Sequence, residues 1–116
     1  MTTSSVLPAD ITVLHVADCP SVTPLLERLE AAATLAGLLI TTTLRLVESD
    51  EDAVALDFPG SPTMLIDGAD PFPSGGGPSY GCRLYEFEGR IDGAPSTSQL
   101  TAALLAAAAG RARNPD

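Results

Sequence analysis

Lysine and tryptophan are absent from this chain of 116 residues, which holds two cysteines, one histidine, two tyrosines and three phenylalanines. Aromatics at 4% cannot fill a core, so the 45% of hydrophobic residues must do it with Leu, Ile, Val and Ala. The length suits one domain and is too short for two. With lysine missing, all basic residues are arginines, 6 against 15 acids, for a net charge of -9. Such a surface repels phosphate backbones, which excludes nucleic acid as a partner. Zinc and iron–sulfur centres want three or four Cys or His ligands. Two cysteines and one distant histidine fall short, so no cofactor and no resident metal site is implied. Residues 1–10 hold neither a basic residue nor the long apolar run of a secretory leader. No segment has the length of a membrane span. The expectation is a cytoplasmic protein with no membrane partner, whose cysteines are free, catalytic or metal-binding rather than a permanent staple.

What is present reads as alternating strands and helices, without an internal repeat. Residues 1–9 are Thr/Ser-rich and expected to fray. Ile11 to Ala17 is a near-continuous apolar run, the mark of a strand covered on both faces. A helix follows, with Val22, Leu25, Leu26, Leu29, Ala33 and Ala36 on one stripe and Glu27, Arg28 and Glu30 off it. Ser21 as N-cap puts Pro24 in the first turn, where a missing N–H costs nothing, and Gly37 closes the helix. Leu38 to Val47 is a second strand. The acidic run Glu48 to Asp52 opens a short helix to Asp57, and Met64 to Ile66 is a third strand. Residues 69–81 form a Gly/Pro loop, a connector or a functional lid. Its glycine run is no phosphate cradle, because no lysine follows it. Arg83 to Glu88 is a fourth strand, closed by Gly89 to Gly93. Ser96 and Gln99 make a capping-box pattern that opens a last helix to Gly110. Residues 111–116 are expected to be a flexible tail.

Two short motifs fall at informative places. Cys19-Pro20 lies between the first strand and the first helix, and Gly60-Ser61-Pro62-Thr63 just precedes an apolar strand. In that order and at those places they resemble the thioredoxin-like superfamily, over residues 10–110. The chain is also similar to small actinobacterial thioredoxin-like proteins, some labelled alkylmercury lyases. These share Asp-Cys-Pro, Gly-Ser-Pro-Thr and Cys-Arg-Leu-Tyr, here Asp18 to Pro20, Gly60 to Thr63 and Cys82 to Tyr85. The resemblance implies a βαβαββα fold of the α/β class, with a four-stranded mixed sheet and helices on both faces. It implies a reactive thiol at Cys19 and a cis-proline at Pro62, with Ser61, Thr63 and Pro20 on the substrate side. Ser61 would offer its backbone to a bound sulfur or peptide. The chain departs from the superfamily at Val22, which stands where the second cysteine of Cys-x-x-Cys belongs, so a two-cysteine cycle within one motif is excluded.

The residues themselves bear on that reading. A helix N-terminus stabilises a thiolate, the nucleophilic and metal-binding form of cysteine, whereas Asp18 opposes ionisation of its neighbour Cys19. The alternative for Cys19 is a small buried hydrophobe. Cys82 is either a partner for Cys19 or an unpaired thiol at a strand end; a disulfide requires Cα atoms within about 7 Å. His15 lies four residues before Cys19 in a strand, about 13 Å away by strand rise, and is expected to be a satisfied sheet histidine. Arg83 either favours a thiolate on Cys82 or is a solvated strand-end charge. Three functions remain open. One is thiol–disulfide chemistry with a protein thiol or disulfide partner, through Cys19 with Cys82 and Asp18. The second is binding of a soft metal ion such as mercury or copper, or organomercurial processing, by the same groups. The third is a non-catalytic interaction domain. The sequence sets no oligomeric state.

Overall fold

The structure is a computed structural model that describes residues 8–72 and 77–113. The ends at 1–7 and 114–116, and the centre of the Gly/Pro loop at 73–76, lie outside the described residues. The elements run β1 (Ala9–His15), α1 (Val22–Ala36), β2 (Ile40–Leu46), α2 (Asp50–Ala55), β3 (Thr63–Ile66), β4 (Tyr85–Phe87), β5 (Arg90–Asp92) and α3 (Thr97–Arg113). β1 is the centre of a mixed sheet of order β2-β1-β3, parallel to β2 and antiparallel to β3.

Alternation along β1 decides what each face of the sheet carries. Ala9, Ile11 and Val13 point to one side. There they join Leu25, Leu29, Ala32 and Ala33 of α1, Leu100 and Leu104 of α3, and Met64 and Ile66 of β3. Leu14 points to the other side, into a smaller cluster with Val47, Ala53 of α2 and Phe58. The fold is thus a mixed α/β layer structure with helices over both faces, in which each buried leucine contributes about 1.5–3 kcal/mol.

Local sequence explains the helix ends. Gly37 takes the left-handed conformation after α1, and its N–H returns to the Ala33 and Thr34 carbonyls. Ser21 occupies the N-cap position of α1, but its backbone is already helical and its hydroxyl makes no capping bond. At α2 the Ser49 hydroxyl accepts the Asp52 N–H, and Asp50, Glu51 and Asp52 sit at the positive end of the helix. At α3 the capping box is reciprocal: Ser96 Oγ accepts the Gln99 N–H, and Gln99 Oε1 accepts the Ser96 N–H. The helix continues to Arg113, into the segment expected to be a tail. At the other end Ala9, expected to fray, is already paired with Ile40.

Two expectations need correction. Among the described residues the main sheet has three strands, not four. Tyr85–Phe87 is a shorter strand than Arg83 to Glu88, and it pairs with Arg90–Asp92 rather than with β3. Glu88 and Gly89, both at positive φ, make the tight turn of this separate hairpin. The order is therefore βαβαβββα. The segment before the hairpin makes one isolated parallel bridge to the main body, Ser61 with Cys82, beside several side-chain and single main-chain bonds. No helix of the described residues is long and apolar enough to cross a membrane.

Candidate functional site

Chain direction brings β1 out at Val16, where a left-handed residue, Asp18 (φ 57°), turns it toward α1. Cys19 follows, partly buried, and its carbonyl accepts the Val22 N–H at the first residue of α1. The thiol thus stands at the mouth of the helix, with Asp18 and Pro20 exposed on either side. His15 belongs to another environment: its Nδ1 bonds to the Val16 carbonyl at 3.0 Å. A carbonyl only accepts, so Nδ1 carries the proton and the ring is held by main chain.

The second wall of the site is Gly60 to Thr63. The Ser61–Pro62 peptide bond is cis. Ser61 is 1% exposed, and its hydroxyl accepts the Val16 N–H at 3.1 Å, tying this loop to the end of β1. Thr63 is equally buried, and its hydroxyl donates to the Gly60 carbonyl at 2.6 Å. Neither side chain is free for a ligand. Nor is the Ser61 backbone open: its N–H donates to the Gly81 carbonyl at 2.8 Å, and its carbonyl accepts the Arg83 N–H at 2.9 Å. The role expected for Ser61, offering its backbone to a substrate, is filled here by the chain's own segment.

Behind this loop lies a polar cluster that sequence reasoning missed. Arg83, expected as a solvated charge or a helper of Cys82, is 5% exposed. Its guanidinium donates to Thr63 Oγ1 at 3.1 Å, to Asp70 Oδ2 at 2.8 Å and to the Phe72 carbonyl. It also lies 4.5 Å over the ring of Tyr85, which meets Phe72 edge-on. Tyr85 is buried too, and its hydroxyl donates to the Pro62 carbonyl at 2.5 Å. Burial pushes this phenol well above its usual range. The Arg83 charge pulls it back, while Asp70 and, more weakly, the neighbouring Cys19 add to the rise. The only hint in the sequence was the Cys-Arg-Leu-Tyr motif itself.

Cys82 is exposed on the segment that pairs with Ser61, and both cysteines are free thiols. Among the described residues no three His, Cys, Asp or Glu side chains converge as a metal site. Two surface grooves lie elsewhere. One of about 460 Å³ runs between the β4–β5 hairpin and the start of α3. Another, of about 730 Å³, lies beside Ile66, Phe72 and the alanines of α3. Neither is lined by Cys19, Ser61 or Cys82. The chain matches no protein-family model, no curated protein and no solved structure.

Proposed function

We propose that this is a thiol-based protein of thioredoxin-like topology, acting in thiol–disulfide exchange through Cys19. The observation that carries the reading is a partly exposed thiol between β1 and α1, with the end of β1 at Val16 hydrogen-bonded to Ser61 of the cis Ser61–Pro62 loop. The β1-α1-β2 unit, β3 antiparallel on β1 and helices over both faces support the topology.

In the proposed reaction the Cys19 thiolate attacks one sulfur of a partner disulfide. An S–S bond forms to Cys19, the partner's own S–S bond breaks, and its other sulfur leaves as a thiolate. A second thiol, from Cys82 or a small-molecule dithiol, then attacks the Cys19 sulfur and releases the partner's remaining thiol. The oxidised product is reduced by the external dithiol.

The test is turnover of a model protein disulfide with dithiothreitol as electron donor. The wild type is expected to accelerate reduction at least ten-fold over dithiothreitol alone and Cys19→Ser to abolish the acceleration, with Cys82→Ser slowing the second step. A wild type no faster than Cys19→Ser would sink the reading.

A further inference from the structure

The segment that occupies the Ser61 backbone is held very unevenly. At one end Arg83 is buried and bonded on several sides. At the other, residues 77–82 are all exposed. They are held by the Ser79 N–H to the Phe58 carbonyl at 2.7 Å, the Tyr80 hydroxyl to the Glu48 carbonyl at 3.1 Å, and the Ser61 N–H to the Gly81 carbonyl. Few apolar contacts and exposed hydrogen bonds are the signature of a segment that opens locally without global unfolding. This short stretch also brings a cysteine, Cys82, into register with Ser61, whose own bond to Pro62 is cis.

On the reading of Cys19 as the reacting thiol, we propose that Ser79–Cys82 is an internal strand standing in for a substrate, displaced when an extended cysteine-bearing peptide segment pairs with Ser61 in its place. The stand-in specifies its replacement. The incoming chain must present a backbone carbonyl one residue before its cysteine, where Gly81 now accepts from Ser61; this is strand addition at a sheet edge. The surroundings set its charge. Glu48, whose carbonyl anchors Tyr80, and Asp57, next to the Phe58 anchor of Ser79, are exposed, in a chain of net charge -9. The substrate class is thus a cysteine peptide with basic rather than acidic flanks.

The experiment uses the full chain with Ser79→Pro and Tyr80→Phe, which removes two upstream anchors and leaves Arg83 in place. The probe is a fluorescent peptide of residues 77–85 carrying Cys82→Ser, so that binding needs no disulfide. The Ser61 amide is expected to exchange with solvent at least ten-fold faster in the free variant. Peptide affinity by fluorescence anisotropy should rise at least ten-fold over the wild type, and an Arg83→Glu version of the peptide should bind more weakly. Unchanged Ser61 exchange, or equal peptide affinity of variant and wild type, overturns the proposal. Should the double variant lose its fold by circular dichroism, Tyr80→Phe alone, at an exposed residue, carries the same two readouts. Repeating the binding with Cys19→Ser separates the two readings. Peptide binding that survives in Cys19→Ser, together with a wild type that reduces disulfides no faster than Cys19→Ser, sinks only the thiol chemistry; reduction that depends on Cys19 while displacement fails sinks only the strand.

Discussion

A guanidinium has five N–H donors and no acceptor, so burying one requires oxygen atoms on several sides. Arg83 finds a hydroxyl at Thr63, a carboxylate at Asp70 and a carbonyl at Phe72, residues spread along the chain before it with no periodic relation. That scatter is why the sequence could not reveal it: a lone arginine after a cysteine reads as a solvated charge, and only folding collects its partners. Cys19 and Pro62 were legible because local chain features mark them, a strand-to-helix junction and a Gly-Ser-Pro-Thr turn. Arg83→Met is expected to lower stability by about 3 kcal/mol, because it strands the Asp70 carboxylate and the Phe72 carbonyl. Asp70→Asn, at a carboxylate that is 21% exposed, should cost less. Urea unfolding of the two variants checks the order. Gly60 depends on the same arginine. A Cβ there would stand 2.8 Å from the Arg83 Cβ, at a φ of +135° that L side chains rarely adopt. Gly60→Ala should therefore cost at least about 2 kcal/mol, and Cys19 should alkylate at a changed rate as the cis loop shifts.

Elements were readable in proportion to their length and to the chemistry of their ends. α1 carries a full apolar stripe and a terminal glycine, and α3 carries a capping box; α1 forms where the pattern puts it, and α3 starts there but runs past the expected end at Gly110. The hairpin was not legible. β5 is three residues long with every one exposed, too short for alternation to register, and its Glu88-Gly89 turn lacks the usual Asn or Asp before glycine. β2 lies within the expected strand Leu38 to Val47, and with six of its seven residues exposed it forms an edge of the sheet. The capping box offers a clean element-scale measurement. Ser96→Ala removes the acceptor for the Gln99 N–H and should destabilise the protein by about 1 kcal/mol. Circular dichroism with urea would detect this as a lower midpoint at unchanged slope. A loss within error would mean that packing of Leu100 and Leu104, not the cap, fixes the start of α3.

At the scale of the whole molecule the decisive balance is charge against burial as pH changes. On the acid side, Asp92 is held below the usual carboxylate range by the Gly93 N–H and then by Arg28, whose guanidinium also bonds to the Ala94 and Pro95 carbonyls. A depressed carboxyl contributes stability that is present above its unfolded value and is lost as pH falls through the folded one, so this tie between α1 and the hairpin loosens only in acid. On the alkaline side the sign reverses. The folded state holds the Tyr85 phenol protonated at pH values where the unfolded chain, with an ordinary phenol near 10, has released its proton. Up to that pH the contribution is complete. Above it the unfolded state binds fewer protons, and stability should fall by as much as about 1.4 kcal/mol per pH unit, while growing negative charge adds self-repulsion across an already acidic surface. Urea midpoints measured from pH 8 to 11 should therefore be flat at first and then drop, and Tyr85→Phe should start lower but lose the Tyr85 share of that drop. An alkaline limb of equal slope in Tyr85→Phe and wild type would show that charge repulsion alone drives the fall, and that the bond from Tyr85 to the Pro62 carbonyl does not hold the cis loop against the rest of the fold.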